Sequence, residues 1–147
     1  ALGTLNLERA VMPAMCLGII ERCVEESARY ARQRVQFGHP ISEFQGVAFP
    51  LARMQVALEN ARNLVFKLAW SQRSGRLDAR LASVAKLYCA EQAVAVSLAA
   101  IQIHGGAGYM ADLPLEKLMR DAKMFEIGGG TNEIQLQTIA RSILAPG

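Results

Sequence analysis

Apolar residues recur along residues 5–33 as Leu7, Val11, Ala14 with Met15, Leu17 with Gly18, Cys23 with Val24, and Ser27. This three-and-four spacing marks a helix with one buried face. Pro13 falls inside the pattern, so the helix either kinks near Arg9 or starts later. Phe37-Gly38-His39-Pro40 supplies a stop. Ser42-Glu43-Phe44-Gln45 has the form of a capping box, and the helix it predicts runs through Phe49, Met54, Leu58, Ala61, Val65 and Leu68 to about Ser74, with Pro50 as a local perturbation. Gly75 ends it. A third long helix is expected from Leu77 to His104, carried by Leu81, Tyr88, Ala95 and Leu98, with many small Ala and Ser residues that permit close packing. Gly105-Gly106-Ala107-Gly108 breaks the chain, a shorter helix runs from Pro114 to Phe125, Gly128-Gly129-Gly130 breaks it again, and Thr131 to Leu144 forms the last helix. No stretch alternates as a strand would. Three long helices and a shorter pair imply an all-α, up-and-down helical bundle.

Composition narrows this reading. The 147 residues suit one domain; 52% are hydrophobic and 6% aromatic, a mix rich in helix formers. The net charge of +3 is scattered, without the like-charge run of a nucleic-acid arm. Cys16, Cys23 and Cys89 are odd in number and lack CxxC spacing, which favours reduced, buried thiols in a cytoplasmic compartment, or the mitochondrial matrix in a eukaryote. His39 and His104 have no ligand spacing, so no metal site is expected, and no membrane span is expected either. The chain begins with Ala1 directly before an amphipathic helix, which suggests a fragment or a processed product.

The two glycine breaks match neither the phosphate loop GxxxxGKS/T nor the dinucleotide GxGxxG, both of which also require a preceding strand. Ordinary helix-helix turns would explain them. Glycines also let backbone N–H groups approach a ligand, and the helix beginning near Thr131 offers a positive dipole end.

Four phrases change this balance: Arg34-x-x-Phe37-Gly38-x-Pro40-Ile41 with Phe44-Gln45; Gln102-Ile103-His104-Gly105-Gly106-Ala107-Gly108-Tyr109; Arg120-Asp121-Ala122-Lys123; and Gly130-Thr131-Asn132-Glu133-Ile134. In this order and spacing, across essentially the whole chain, they resemble the C-terminal helical domain of the acyl-CoA dehydrogenase family. The resemblance implies a homotetrameric FAD enzyme whose N-terminal helical and middle β domains are absent from residues 1–147. It implies that Arg34 meets the FAD pyrophosphate of a neighbouring subunit, with Phe37 and Gln45 near the adenine end. Gln102, Gly105 and Gly106 would face the same neighbouring FAD, and Thr131 and Glu133 the FAD bound by their own subunit. Apart from the resemblance, Arg34 reads as a helix-end cation, Thr131 as an N-cap and Glu133 as a first-turn acid.

Many family members carry the catalytic glutamate directly before the Gly-Thr of the last motif, where this chain has Gly129 after Gly128. Proton abstraction from the acyl α-carbon needs a base within about 3 Å. In the isovaleryl-CoA and long-chain branches the base is instead a glutamate on the first helix of this domain, followed by arginine, and Leu7-Glu8-Arg9 resembles that arrangement. The expected assignment is Glu8 as base, Gly129 as backbone N–H donor to the thioester oxygen, and Arg9 and Gly128 beside the acyl-CoA. An electron-transfer flavoprotein would be the acceptor, and the space at Gly128 and Gly129 favours a branched or bulky acyl group. Two alternatives remain: a flavin monooxygenase or oxidase on the same scaffold, and a non-catalytic oligomerisation module.

Overall fold

The computed structural model describes residues 2–75 and 78–145, and residues 2–10 by their backbone alone. Helix α1 spans Leu2–Gln33 and runs without interruption through Pro13, whose side chain is buried. A later start is therefore excluded. The expected beginning of the third helix at Leu77 lies outside the described residues.

After α1 the chain makes a two-residue hairpin, with β1 (Val35–Gln36) paired antiparallel to β2 (His39–Pro40), that the hydrophobic pattern did not reveal. Two-residue strands are too short to show a period. Phe37 and Gly38 at its tip have φ of 55° and 83°. Positive φ at both central residues matches the right-handed twist of a tight hairpin, at a steric cost for a residue with a Cβ.

The capping box expected at Ser42 does not form. Ser42 lies in a 3-10 turn, Ile41–Glu43, and α2 (Gln45–Arg73) starts behind Phe44, which provides no side-chain cap. Gln45 is thus the first residue of the helix rather than its third. Helix α3 (Ala79–His104) is capped by Asp78, whose side chain accepts from Arg80 N–H at 2.8 Å. Next come a single turn, α4 (Gly106–Tyr109), inside the expected break, then α5 (Leu115–Ile127) and α6 (Asn132–Leu144).

Helix α3 is the axis of the bundle, packed by α1, α2, α5 and α6. Its inward positions are small, Ala82, Ala85, Ala90, Ala93 and Ala100, so neighbouring helices approach closely while Ile20, Met54, Leu58, Leu115 and Phe125 fill the space between them. With a mean hydropathy of 1.4 over its most apolar window, α3 is long and apolar enough to cross a membrane; its central packing accounts for that composition. Cys16, Cys23 and Cys89 are free and buried, and burial pushes each thiol up to about 12.

Candidate functional site

The glycine turn between α5 and α6 is shaped by its neighbours. Gly128 N–H donates to Met124 O at 2.7 Å, closing α5, and Gly129 and Gly130 then take φ of 63° and 89°. Met12 of α1 lies against this turn: a Cβ on Gly129 would meet Met12 Sδ at 2.4 Å and Cε at 2.9 Å, and one on Gly128 would lie 3.4 Å from Met12 Cε. The volume that a side chain at residue 129 would need is thus held by a side chain of α1. Gly129→Ala carries both an overlap and a positive φ, so it is expected to cost about 1–3 kcal/mol in thermal or urea unfolding. Adding Met12→Ala should recover the steric part only.

Beyond the turn, Thr131 stands at the N-cap of α6, yet its side chain caps no backbone N–H. The Glu133 carboxylate is held below its usual range by its own backbone N–H and then by the Thr131 hydroxyl. Lys86 of α3 is 1% exposed, with Nζ 3.3 Å from Asn132 Oδ1. Gln135 is fully buried, and its Nε2 donates to Gly130 O at 2.8 Å. Met12, Lys86 and Gln135 were not found by sequence reasoning, because a lone Met, Lys or Gln in a helical pattern carries no mark of where it packs.

A second group sits at the other end of α3. Gly105 ends the helix at φ 59°, ψ −138°, a backbone region open in practice to glycine alone, with its N–H donating to Gln102 O at 3.2 Å. Gln102, Gly105 and Gly106 are exposed, and Tyr109 is 79% exposed. His104 is buried, bonds Ala100 O through Nδ1 at 2.8 Å and stacks on Tyr30 at 4.2 Å. Desolvation lowers the His104 pKa, so it favours the neutral ring.

The hairpin supplies a third group. Arg34 is exposed and has no ion-pair partner among the described residues. Phe37 is 89% exposed and meets Phe44 edge-on at 6.1 Å; Gln45 is exposed beside it. Arg120 pairs with Glu116 at 2.9 Å and Lys117 with Asp121, both on the surface of α5.

The structure therefore places Gly128, Gly129, Thr131 and Glu133 together at the α5–α6 turn and the start of α6, and Arg34 and Phe37 at the hairpin with Gln45 at the start of α2. It separates the Gly129 turn from Gly105 and Gly106. The eighteen residue-to-residue steps from Lys86 to His104 put roughly 27 Å of helix between the two ends. Glu8 and Arg9 belong to α1, but their side chains lie outside the described residues.

A sequence model described as "Acyl-CoA dehydrogenase, C-terminal domain" matches residues 1–144. The chain is 44% identical to a probable acyl-CoA dehydrogenase of Bacillus subtilis over 143 residues, 97% of the chain and 38% of that protein. It is 42% identical to a mitochondrial isovaleryl-CoA dehydrogenase of Oryza sativa subsp. japonica, over 95% of the chain and 34% of the relative. Its fold superimposes on butyryl-CoA dehydrogenase from Megasphaera elsdenii with a TM-score of 0.94 and 40% identity, over 97% of this chain and 37% of that one. The chain thus spans little more than a third of the relatives it matches.

Proposed function

The chain belongs to the acyl-CoA dehydrogenase family, and from that premise we propose that it forms the C-terminal domain of an FAD enzyme converting an acyl-CoA to a trans-2-enoyl-CoA, with Glu8 as base. The observation that carries the proposal is the contact between Met12 and Gly129. It brings α1 against the turn from which the usual glutamate is missing. Glu8 precedes Met12 by four residues, about one turn of α1.

The residues present fit a flavin nucleotide. The Arg34 guanidinium is exposed and suited to two-pronged contact with a pyrophosphate. Gly105 and Gly106 expose bare backbone at the opposite end from the α6 N-terminus, where the Thr131 side chain caps no backbone N–H. Because the two groups stand apart in one copy, they would meet one FAD from two copies, each contributing to the cofactor of the other.

Bound FAD supplies the hydride acceptor for the β-hydrogen. In this reading Glu8 takes the α-proton. The Gly129 N–H, which makes no backbone hydrogen bond among the described residues, donates to the thioester oxygen as enolate charge develops. Gly129 can keep this role without a side chain. The space expected at Gly128 and Gly129 for a branched or bulky acyl group is filled by Met12, so the turn gives no preference for acyl shape; the proposed acceptor is an electron-transfer flavoprotein.

Anaerobic mixing of the full-length protein with acyl-CoA is the test. The flavin band should bleach with one equivalent of enoyl-CoA formed, and the reduced flavin should react slowly with oxygen. Fast formation of a hydroperoxyflavin without enoyl-CoA would instead support the monooxygenase reading.

A further inference from the structure

We propose that Gln135 is a positioning residue that fixes the glycine turn so that the Gly129 N–H points at the thioester oxygen, an inference that rests on the acyl-CoA reading above. Three consecutive glycines have more backbone freedom than any other tripeptide, and a hydrogen-bond donor serves catalysis only if it is held in place before charge develops. The turn is held at two ends. On one side Gly128 N–H is bonded to Met124 O at 2.7 Å. On the other the Gln135 amide donates to Gly130 O at 2.8 Å and stands 3.5 Å from Gly129 O. The two carbonyls fix which end of the side chain faces them, since only the NH₂ group can donate. The peptide unit between these anchors carries the Gly129 N–H.

Helix formation alone does not call for this side chain. Gln135 N–H already bonds Thr131 O at 3.1 Å within the first turn of α6. Its side chain is 0% exposed, and its Oε1 has no hydrogen-bond partner among the described residues. A buried amide with an unpaired oxygen is disfavoured against an apolar side chain of the same size, so packing would be better served by Met or Leu. What Gln135 adds is the hold on the two glycine carbonyls. Lys86, through Asn132 Oδ1, steadies the next residues of the same strand of chain.

The test uses the full-length holoenzyme and an arylacryloyl-CoA, whose absorption moves to longer wavelength when its thioester carbonyl is polarised. The wild type should show the shift. Gln135→Met should lose most of it and lower kcat by roughly 10- to 100-fold, with FAD content and KM little changed. In Gln135→Glu the protonated carboxyl can donate to Gly130 O whereas the ionised form repels it, so the chromophore shift, which does not need the base, should be restored at low pH and be lost as pH rises through the new group's pKa. A Gln135→Met protein with the wild-type shift and kcat overturns the inference alone. If Gln135→Met does not fold, Gln135→Glu decides, and a pH profile identical to the wild type overturns the inference. A wild type that neither turns over acyl-CoA nor polarises the chromophore overturns both the inference and the reading beneath it.

Discussion

Glu8→Gln in the full-length protein is expected to leave FAD bound and to slow flavin reduction by acyl-CoA by about 10²- to 10⁴-fold, the range over which a positioned general base acts. Glutamine keeps the shape and removes the proton acceptor. The turn itself offers no substitute base: residues 128 and 129 are both glycine, and Met12, the side chain that fills the space beside them, has no basic atom. Stopped-flow absorbance under anaerobic conditions reads the rate directly. FAD content separates loss of the base from loss of the site. A rate within a few-fold of the wild type would remove Glu8 from the mechanism.

Arg34→Ala is expected to produce the other large loss, in cofactor affinity. A guanidinium bonded to a pyrophosphate is worth about 2–5 kcal/mol when one partner is truncated, or roughly 30- to 4,000-fold in Kd. The hairpin itself should survive, because it is held by backbone bonds, Arg34 N–H to Tyr30 O and Ile41 N–H to Arg34 O, both at 2.8 Å. Arg34→Lys keeps the charge without the fork and should fall between. Flavin retention through gel filtration and reconstitution titrations measure the series. Unchanged retention in Arg34→Ala would leave Arg34 as a solvated helix-end cation.

Much of the bundle was legible because long helices repeat their pattern many times. The segment of α3 from Ala79 to His104 and the glycine breaks at Gly105 and Gly128 were visible in this way. Local chemistry was less so. Ser42 and Gln45 have capping-box spacing, but the hairpin delivers the chain through a 3-10 turn that shifts the helix start past the box. The hairpin itself rests on two residues per strand and a strained Phe37, which no periodicity reports.

The site divides in a similar way. The vacancy at Gly129 and the acid at Glu8 are both statements about residue type, so they can be paired on paper. Met12 is what brings α1 to that turn, and only a structure shows that this methionine packs there. Gln135 and Lys86 are hidden for the same reason: both look like ordinary polar helix positions until burial is known.

Whether α1 provides the base that the Gly129 turn lacks is tested by α-proton exchange, which does not involve hydride transfer. The full-length protein, its flavin already reduced so that the β-hydrogen cannot leave, is incubated with a saturated acyl-CoA in D₂O, and deuterium at the α-carbon is followed by mass spectrometry. Steady exchange is expected in the wild type and almost none in Glu8→Gln. Exchange in Glu8→Gln at the wild-type rate would contradict Glu8 as the base.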